Sequence, residues 1–242
     1  MPHAPTNSGR IADLAYWTLA AVSIAVIPLG PFPALPALRM APTVLLAITA
    51  LRTTRSAFGI TIALGLCLGA LGDYFLATFD SGVAILGVLA FFAGHVCYIA
   101  GLRRVGWDAT PRRRMLVATL IVFAISYGVF IAWVNPHITV DSLAWMPLAP
   151  RSLPVAPALL AYLPLLIGMA CVAVLRRGSR LLAAGALVFV ASDAMIPLNQ
   201  FLLPKPHATD LYATPWLMCS GFVTYYLAQY WIARGAAAES PA

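Results

Sequence analysis

Residues 57–77 read AFGITIALGLCLGALGDYFLA, an apolar run interrupted by one charged residue, Asp73. A helix crossing ~30 Å of bilayer hydrocarbon needs about 20 such residues. Within the run Gly65, Gly69 and Asp73 recur every four positions and therefore share one helix face. Glycines at that spacing let a second helix approach closely, so the carboxylate is expected to face protein rather than lipid. An aspartate near a transmembrane helix centre costs about 2.5–3.5 kcal/mol on insertion scales. Its presence calls for a reason.

Similar runs occupy most of the chain. Of 242 residues 62% are apolar and 10% charged, against about 25% charged in a soluble domain. The excess apolar surface must face lipid. Spans are expected near 14–29, 37–51, 57–77, 83–102, 115–134, 155–175, 181–203 and 211–233. The first has the basic start and apolar centre of a signal peptide, but more membrane sequence follows, which makes it a span. Pro28, Pro31, Pro33 and Pro36 break the helix after it. The fold class expected is all-α: a polytopic integral membrane protein of about eight transmembrane helices, with residues 1–242 forming a single helical-bundle domain.

The net charge of +7 does not mark a nucleic-acid binder, because the basic residues sit in short connections between apolar runs. One set of connections holds 12 arginines, at 10, 52, 55, 103, 104, 112, 113, 114, 176, 177, 180 and 234. The opposite set holds Arg151 and Lys205, and Arg39 falls within a span. By the positive-inside rule both termini are cytoplasmic, which requires an even number of spans. Arg39 is expected to snorkel from its helix end to the interface. The alanine- and arginine-rich composition suggests a bacterial source and so a cytoplasmic membrane. Cys67, Cys97, Cys171 and Cys219 all lie in apolar runs and form no C-x-x-C pair, so neither a disulfide framework nor a redox site is expected.

Of the eight acidic residues only Asp73 and Asp193 lie well inside expected spans. Asp193 stands four residues before Pro197, which cannot donate to its carbonyl, so a free carbonyl and a carboxylate coincide there. His95 is the only histidine within a span and shares a face with Tyr98. In the last span Tyr225, Tyr226, Gln229 and Tyr230 form a polar-aromatic stripe. Tyrosine stripes also arise from packing or at the membrane interface, and a lone histidine can simply bridge helices. Intramembrane carboxylates point to function by default. One histidine and two aspartates on three helices carry no metal-ligand spacing, and no Gly-rich phosphate loop, H-E-x-x-H or G-x-S-x-G is present. Neither metal nor cofactor is expected.

An ordered set of motifs resembles the YhhN-type lysoplasmalogenase family of membrane proteins. It comprises Gly72-Asp73-x-x-Leu76, Phe91-Phe92-x-x-His95-x-x-Tyr98, Leu187-Val188-Phe189-x-x-Ser192-Asp193, Phe201 and Tyr226-x-x-Gln229. Where the family often has a Lys-Pro pair, this chain has Ala41-Pro42, with Arg39 nearby as another positive charge. The resemblance implies hydrolysis of the vinyl-ether bond of lysoplasmalogens, giving a fatty aldehyde and a glycerophospho-alcohol. The substrate would be a lysophospholipid or other single-chain ether lipid drawn from the bilayer.

That chemistry suits the residues. A vinyl ether must be protonated at carbon before water captures the oxocarbenium ion, so a placed acid and a water-orienting group are needed. Burial and a neighbouring carboxylate both disfavour ionisation, so one of two paired aspartates can stay protonated while the other is anionic. Asp73 and Asp193 are the expected catalytic pair. His95, Tyr98, Ser192, Tyr226 and Gln229 are the expected supporting groups. At 1.5 Å per residue Asp73 lies about 27 Å from Arg55 and Asp193 about 20 Å from Arg180, depths compatible with one site. Proton-coupled transport uses the same residue types, and aspartates that only pair helices are a third reading.

Overall fold

A computed structural model describes residues 7–54, 56–78, 81–104, 155–197 and 215–239, with isolated helical positions at 117, 120, 124 and 128. The described elements are helices: α1 (Asn7–Ala25), a short 3-10 turn (Ile27–Leu29), α2 (Leu35–Thr53), α3 (Ala57–Ala77), α4 (Ser81–Leu102), α5 (Val155–Leu175), α6 (Arg180–Pro197) and α7 (Pro215–Ala237). Three stretches, Gly9–Leu29, Leu35–Thr53 and Ala57–Ala77, are long and apolar enough to cross a membrane. Leu86–Leu102 and Tyr162–Leu175 are shorter apolar helical stretches. The expected span at 115–134 and the arginines at 112–114 lie outside the described residues, apart from those isolated positions. So do Arg151, residues 198–203, Lys205 and residues 211–214.

Helix ends follow local chemistry rather than hydropathy. The first helix is already formed at Asn7, the first described residue and a turn and more before the apolar run, and stops at Ala25. Pro28 disfavours helical geometry in the residue before it, and Gly30 turns the chain with φ of 74°. Ser56 caps α3, its hydroxyl accepting from the Gly59 amide at 3.0 Å. The last helix runs past the apolar stretch through Gly235-Ala-Ala, because alanine is the strongest helix former.

Helices α2 to α7 pack each against the next, and α7 closes on both α2 and α3; α1 lies outside, against α2 and α7. Small residues set the tightest approaches. A Cβ on Gly65 would enter the Tyr98 ring, and one on Gly94 would stand 3.1 Å from the Gly65 carbonyl. Between α6 and α7, a Cβ on Gly235 would stand 2.7 Å from the Leu182 amide nitrogen. The apolar core between helices includes Ile62, Leu66, Met169, Leu182, Phe189 and Ile232. Leu64, Leu71, Leu89, Leu187 and Val223 point outward.

Among the described residues Arg39 lies toward one end of the bundle and Arg52, Arg103, Arg104, Arg176, Arg177, Arg180 and Arg234 lie at the other. There Glu239 accepts from the Arg176 guanidinium and from the Ser179 amide, and Arg176 lies 4.7 Å over the Phe58 ring. Arg234 pairs with Asp13 of α1.

Candidate functional site

The two aspartates lie toward the same end of the bundle, Asp73 four residues before the end of α3 and Asp193 four before Pro197, the last described residue of α6. Each is held by a tyrosine hydroxyl from another helix. Asp73 Oδ2 accepts from Tyr225 of α7 at 2.8 Å and from Thr43 of α2 at 3.1 Å. Asp193 Oδ2 accepts from Tyr162 of α5 at 2.5 Å. Among the described residues the second carboxyl oxygen, Oδ1, of each aspartate has no hydrogen-bond partner. Asp73 is 6% exposed, and its charge interacts with those of Arg39 and Asp193.

Helix α4 feeds a hydrogen-bonded chain to each carboxyl group. Tyr98 donates to Gln229 Oε1 at 2.6 Å, Gln229 Nε2 donates to the Tyr225 oxygen at 3.2 Å, and Tyr225 donates to Asp73. One turn earlier, His95 Nε2 meets the Tyr162 hydroxyl at 2.8 Å, and Tyr162 donates to Asp193. His95 Nε2 itself stands 4.0 Å from Asp193 Oδ2, so the tyrosine oxygen is the link. When Tyr162 donates to Asp193, its oxygen accepts from His95, which puts a proton on Nε2. His95 Nδ1 faces the Met169 sulfur at 3.2 Å. Phe189, 1% exposed, stands between the two chains, its ring edge-on to His95 at 4.9 Å and to Tyr225 at 5.5 Å between centroids.

Each residue expected from the sequence can now be located. Asp73, Asp193, His95, Tyr98 and Gln229 belong to these two chains. Tyr226 does not: its hydroxyl donates to the Arg39 carbonyl at 3.0 Å and meets Ser23 at 2.8 Å, and its carbonyl accepts from Tyr16. It fastens α1, α2 and α7 together. Ser192 donates to the Gly221 carbonyl at 2.8 Å, tying α6 to α7. Phe201 lies outside the described residues. Arg39 does not snorkel; it is 6% exposed and its guanidinium stacks 4.1 Å from the centre of the Phe222 ring. An aromatic face offers a desolvated cation some of the attraction that water would.

Sequence reasoning missed Tyr162, Thr43, Tyr225's direct contact and Met169. Tyr162 carries the only hydroxyl side chain in the 155–175 run, which is the signal that could have exposed it. Thr43 immediately follows the Ala41-Pro42 pair. Among the described residues no three histidine, cysteine, aspartate or glutamate side chains converge as a metal site requires.

Residues 35–236 match the YhhN family. The chain is 32% identical over 140 residues to the lysoplasmalogenases of Mycobacterium bovis and Mycobacterium tuberculosis, covering 57% of this chain and 49% of each relative. It is 28% identical over 180 residues to the lysoplasmalogenase TMEM86A of Bos taurus, covering 72% of this chain and 64% of that protein. The chain thus spans about half the length of the mycobacterial relatives it matches. No solved structure matches it.

Proposed function

This chain belongs to the YhhN family, and from that premise we propose that it is a membrane-embedded hydrolase of the vinyl-ether bond in lysoplasmalogen-type lipids. The products are a fatty aldehyde and a glycerophospho-alcohol. The observation that carries the reading is the pair of aspartates, one buried and one partly buried, each gripped through Oδ2 by a tyrosine, with Oδ1 unpartnered among the described residues. Relatives named lysoplasmalogenase in bacteria and cattle support it.

In the proposed cycle Asp193 is the acid and Asp73 the anion. Asp73, which accepts two hydrogen bonds, from Tyr225 and Thr43, is given the part of the anion. Asp193 accepts one bond, from Tyr162, whose oxygen is in turn oriented by His95. Asp193 Oδ1–H protonates the vinyl carbon remote from the ether oxygen. The oxocarbenium ion forms beside the Asp73 carboxylate, whose field stabilises it. Asp73 then takes a proton from water as the water oxygen bonds to the cationic carbon, giving a hemiacetal. Collapse breaks the bond to the glycerol oxygen, which takes the proton from Asp73. The hemiacetal hydroxyl proton passes to Asp193. Aldehyde and alcohol leave, and both carboxyl groups regain their starting states.

The chain is further proposed to cross a bacterial cytoplasmic membrane eight times with both termini in the cytoplasm. Arg10, Arg52, Arg103, Arg104, Arg176, Arg177, Arg180 and Arg234 lie at helix ends consistent with one membrane face. A reporter fused after Ala242 is expected to be active only if it functions in the cytoplasm. The aspartates, at the opposite end, would then meet a single-chain lipid entering sideways from the outer leaflet.

Purified protein in detergent, given an alkenyl lysophospholipid, should release fatty aldehyde. A proton-coupled transporter would show activity only in sealed vesicles under a gradient. Absence of aldehyde from folded protein overturns the hydrolase reading.

A further inference from the structure

Arg39 has the surroundings of a ligand-binding cation rather than of a structural ion pair. It is 6% exposed, yet its Nε has no hydrogen-bond partner. Among the described residues the ion pairs of arginine are Arg176 with Glu239 and Arg234 with Asp13, and no carboxylate pairs with Arg39. Its backbone is fixed by the Tyr226 hydroxyl and its guanidinium is laid on Phe222. The side chain is therefore held in place while its donors remain available. A buried cation with no hydrogen-bonded carboxylate is further stabilised when an anion reaches its donors.

Its position says which anion. Arg39 stands four residues into α2, and Thr43, one turn on along the same helix face, donates to Asp73. Arg39 and Asp73 are thus each about 6 Å, one turn, from the ends of their helices on the same side of the bundle, the side toward which Asp193 also lies. In a lysophospholipid the three-carbon glycerol unit separates the phosphodiester from the sn-1 ether oxygen, a spacing of a few bonds. A planar guanidinium fork matches phosphate oxygens in geometry and charge.

We propose that Arg39 is the phosphate-binding residue of the site, taking the phosphodiester of a single-chain glycerophospholipid while its ether linkage lies at the aspartates. Charge then balances in two local pairs, Arg39 with the phosphodiester and Asp73 with the oxocarbenium ion. The inference rests on the hydrolase reading for its substrate class, but binding can be measured without turnover.

The test uses full-length protein in detergent and a non-hydrolysable probe, a 1-alkyl lysophospholipid, beside the 1-alkylglycerol of equal chain length that lacks phosphate. Wild type should bind the phosphorylated probe tighter by about tenfold or more, the worth of one charge-assisted hydrogen bond. Arg39→Gln should bring the two probes to near equality, and Arg39→Lys should restore part of the preference. Inorganic phosphate is the third probe: weak or no competition identifies a lipid-borne phosphate, whereas tight binding of free phosphate with no gain from the lipid chain overturns the lipid assignment. Equal binding of both lipid probes by wild type overturns the proposal even if Arg39→Gln fails to fold. In turnover assays with the alkenyl versions of both lipids, the Arg39→Gln loss should fall on KM and only for the phosphorylated one. Aldehyde release indifferent to phosphate and to Arg39 would remove this inference and leave the hydrolase standing. Phosphate-dependent binding without aldehyde release would do the reverse.

Discussion

Replacing Tyr162 by phenylalanine removes one oxygen atom and leaves the ring, so its effect isolates the link between His95 and Asp193. The hydroxyl donates to Asp193 Oδ2 at 2.5 Å and meets His95 Nε2 at 2.8 Å. With it gone the histidine and the carboxylate are 4.0 Å apart, beyond hydrogen-bond range. A hydrogen bond to a charged group contributes about 1.5–3 kcal/mol. At a tenfold rate change per 1.36 kcal/mol, its loss at the acid should lower kcat by about 10- to 150-fold. KM should change little, because Tyr162 is assigned no contact with the headgroup. Initial rates of aldehyde release give the number, and a melting curve shows whether the bundle is intact. A Tyr162→Phe protein that keeps kcat within about twofold would refute the relay, whatever its stability.

Three further outcomes follow from the packing. Gly235→Ala places a methyl group 2.7 Å from the Leu182 amide nitrogen, a backbone atom that cannot rotate away, and should destabilise the α6–α7 contact by about 1–3 kcal/mol, read as a lower Tm in detergent. Phe189→Ala should cost about 3–5 kcal/mol and lower activity as well, because its ring separates His95 from Tyr225. Glu239→Gln removes the carboxylate that Arg176 and Ser179 share and should lower stability by about 2 kcal/mol; the site is at the other end of the bundle, so kcat at low temperature should be unchanged.

What was legible in the sequence was what is anomalous in lipid. Asp73 and Asp193 stand out because charge in an apolar run is costly, and His95 and Gln229 stand out for a related reason. The run at 57–77 matched α3 at both ends because Ser56 supplies a cap where hydropathy also changes. What was not legible depends on contacts between distant residues. Tyr162 and Asp193 are 31 positions apart and Tyr225 and Asp73 are 152 apart, and a tyrosine in a span is ordinary until its partner is known. Tyr225 and Tyr226 are neighbours in sequence but about 100° apart around a helix of 3.6 residues per turn. One turns to Asp73 and the other to the backbone of Arg39. Local pattern cannot choose between them. Arg39 was misread for the same reason: snorkelling is the default for a basic side chain near a span end, and Phe222, 183 residues later, is what draws it inward.

The most direct measurement compares aldehyde release from an alkenyl lysophospholipid by wild type, Asp73→Asn and Asp193→Asn, each purified and shown to melt cooperatively. Asparagine keeps the shape but can neither deliver an acidic proton nor carry the charge, so both variants should fall by about 100-fold or more, the usual contribution of a placed acid or base. Either variant turning over at the wild-type rate would contradict the account.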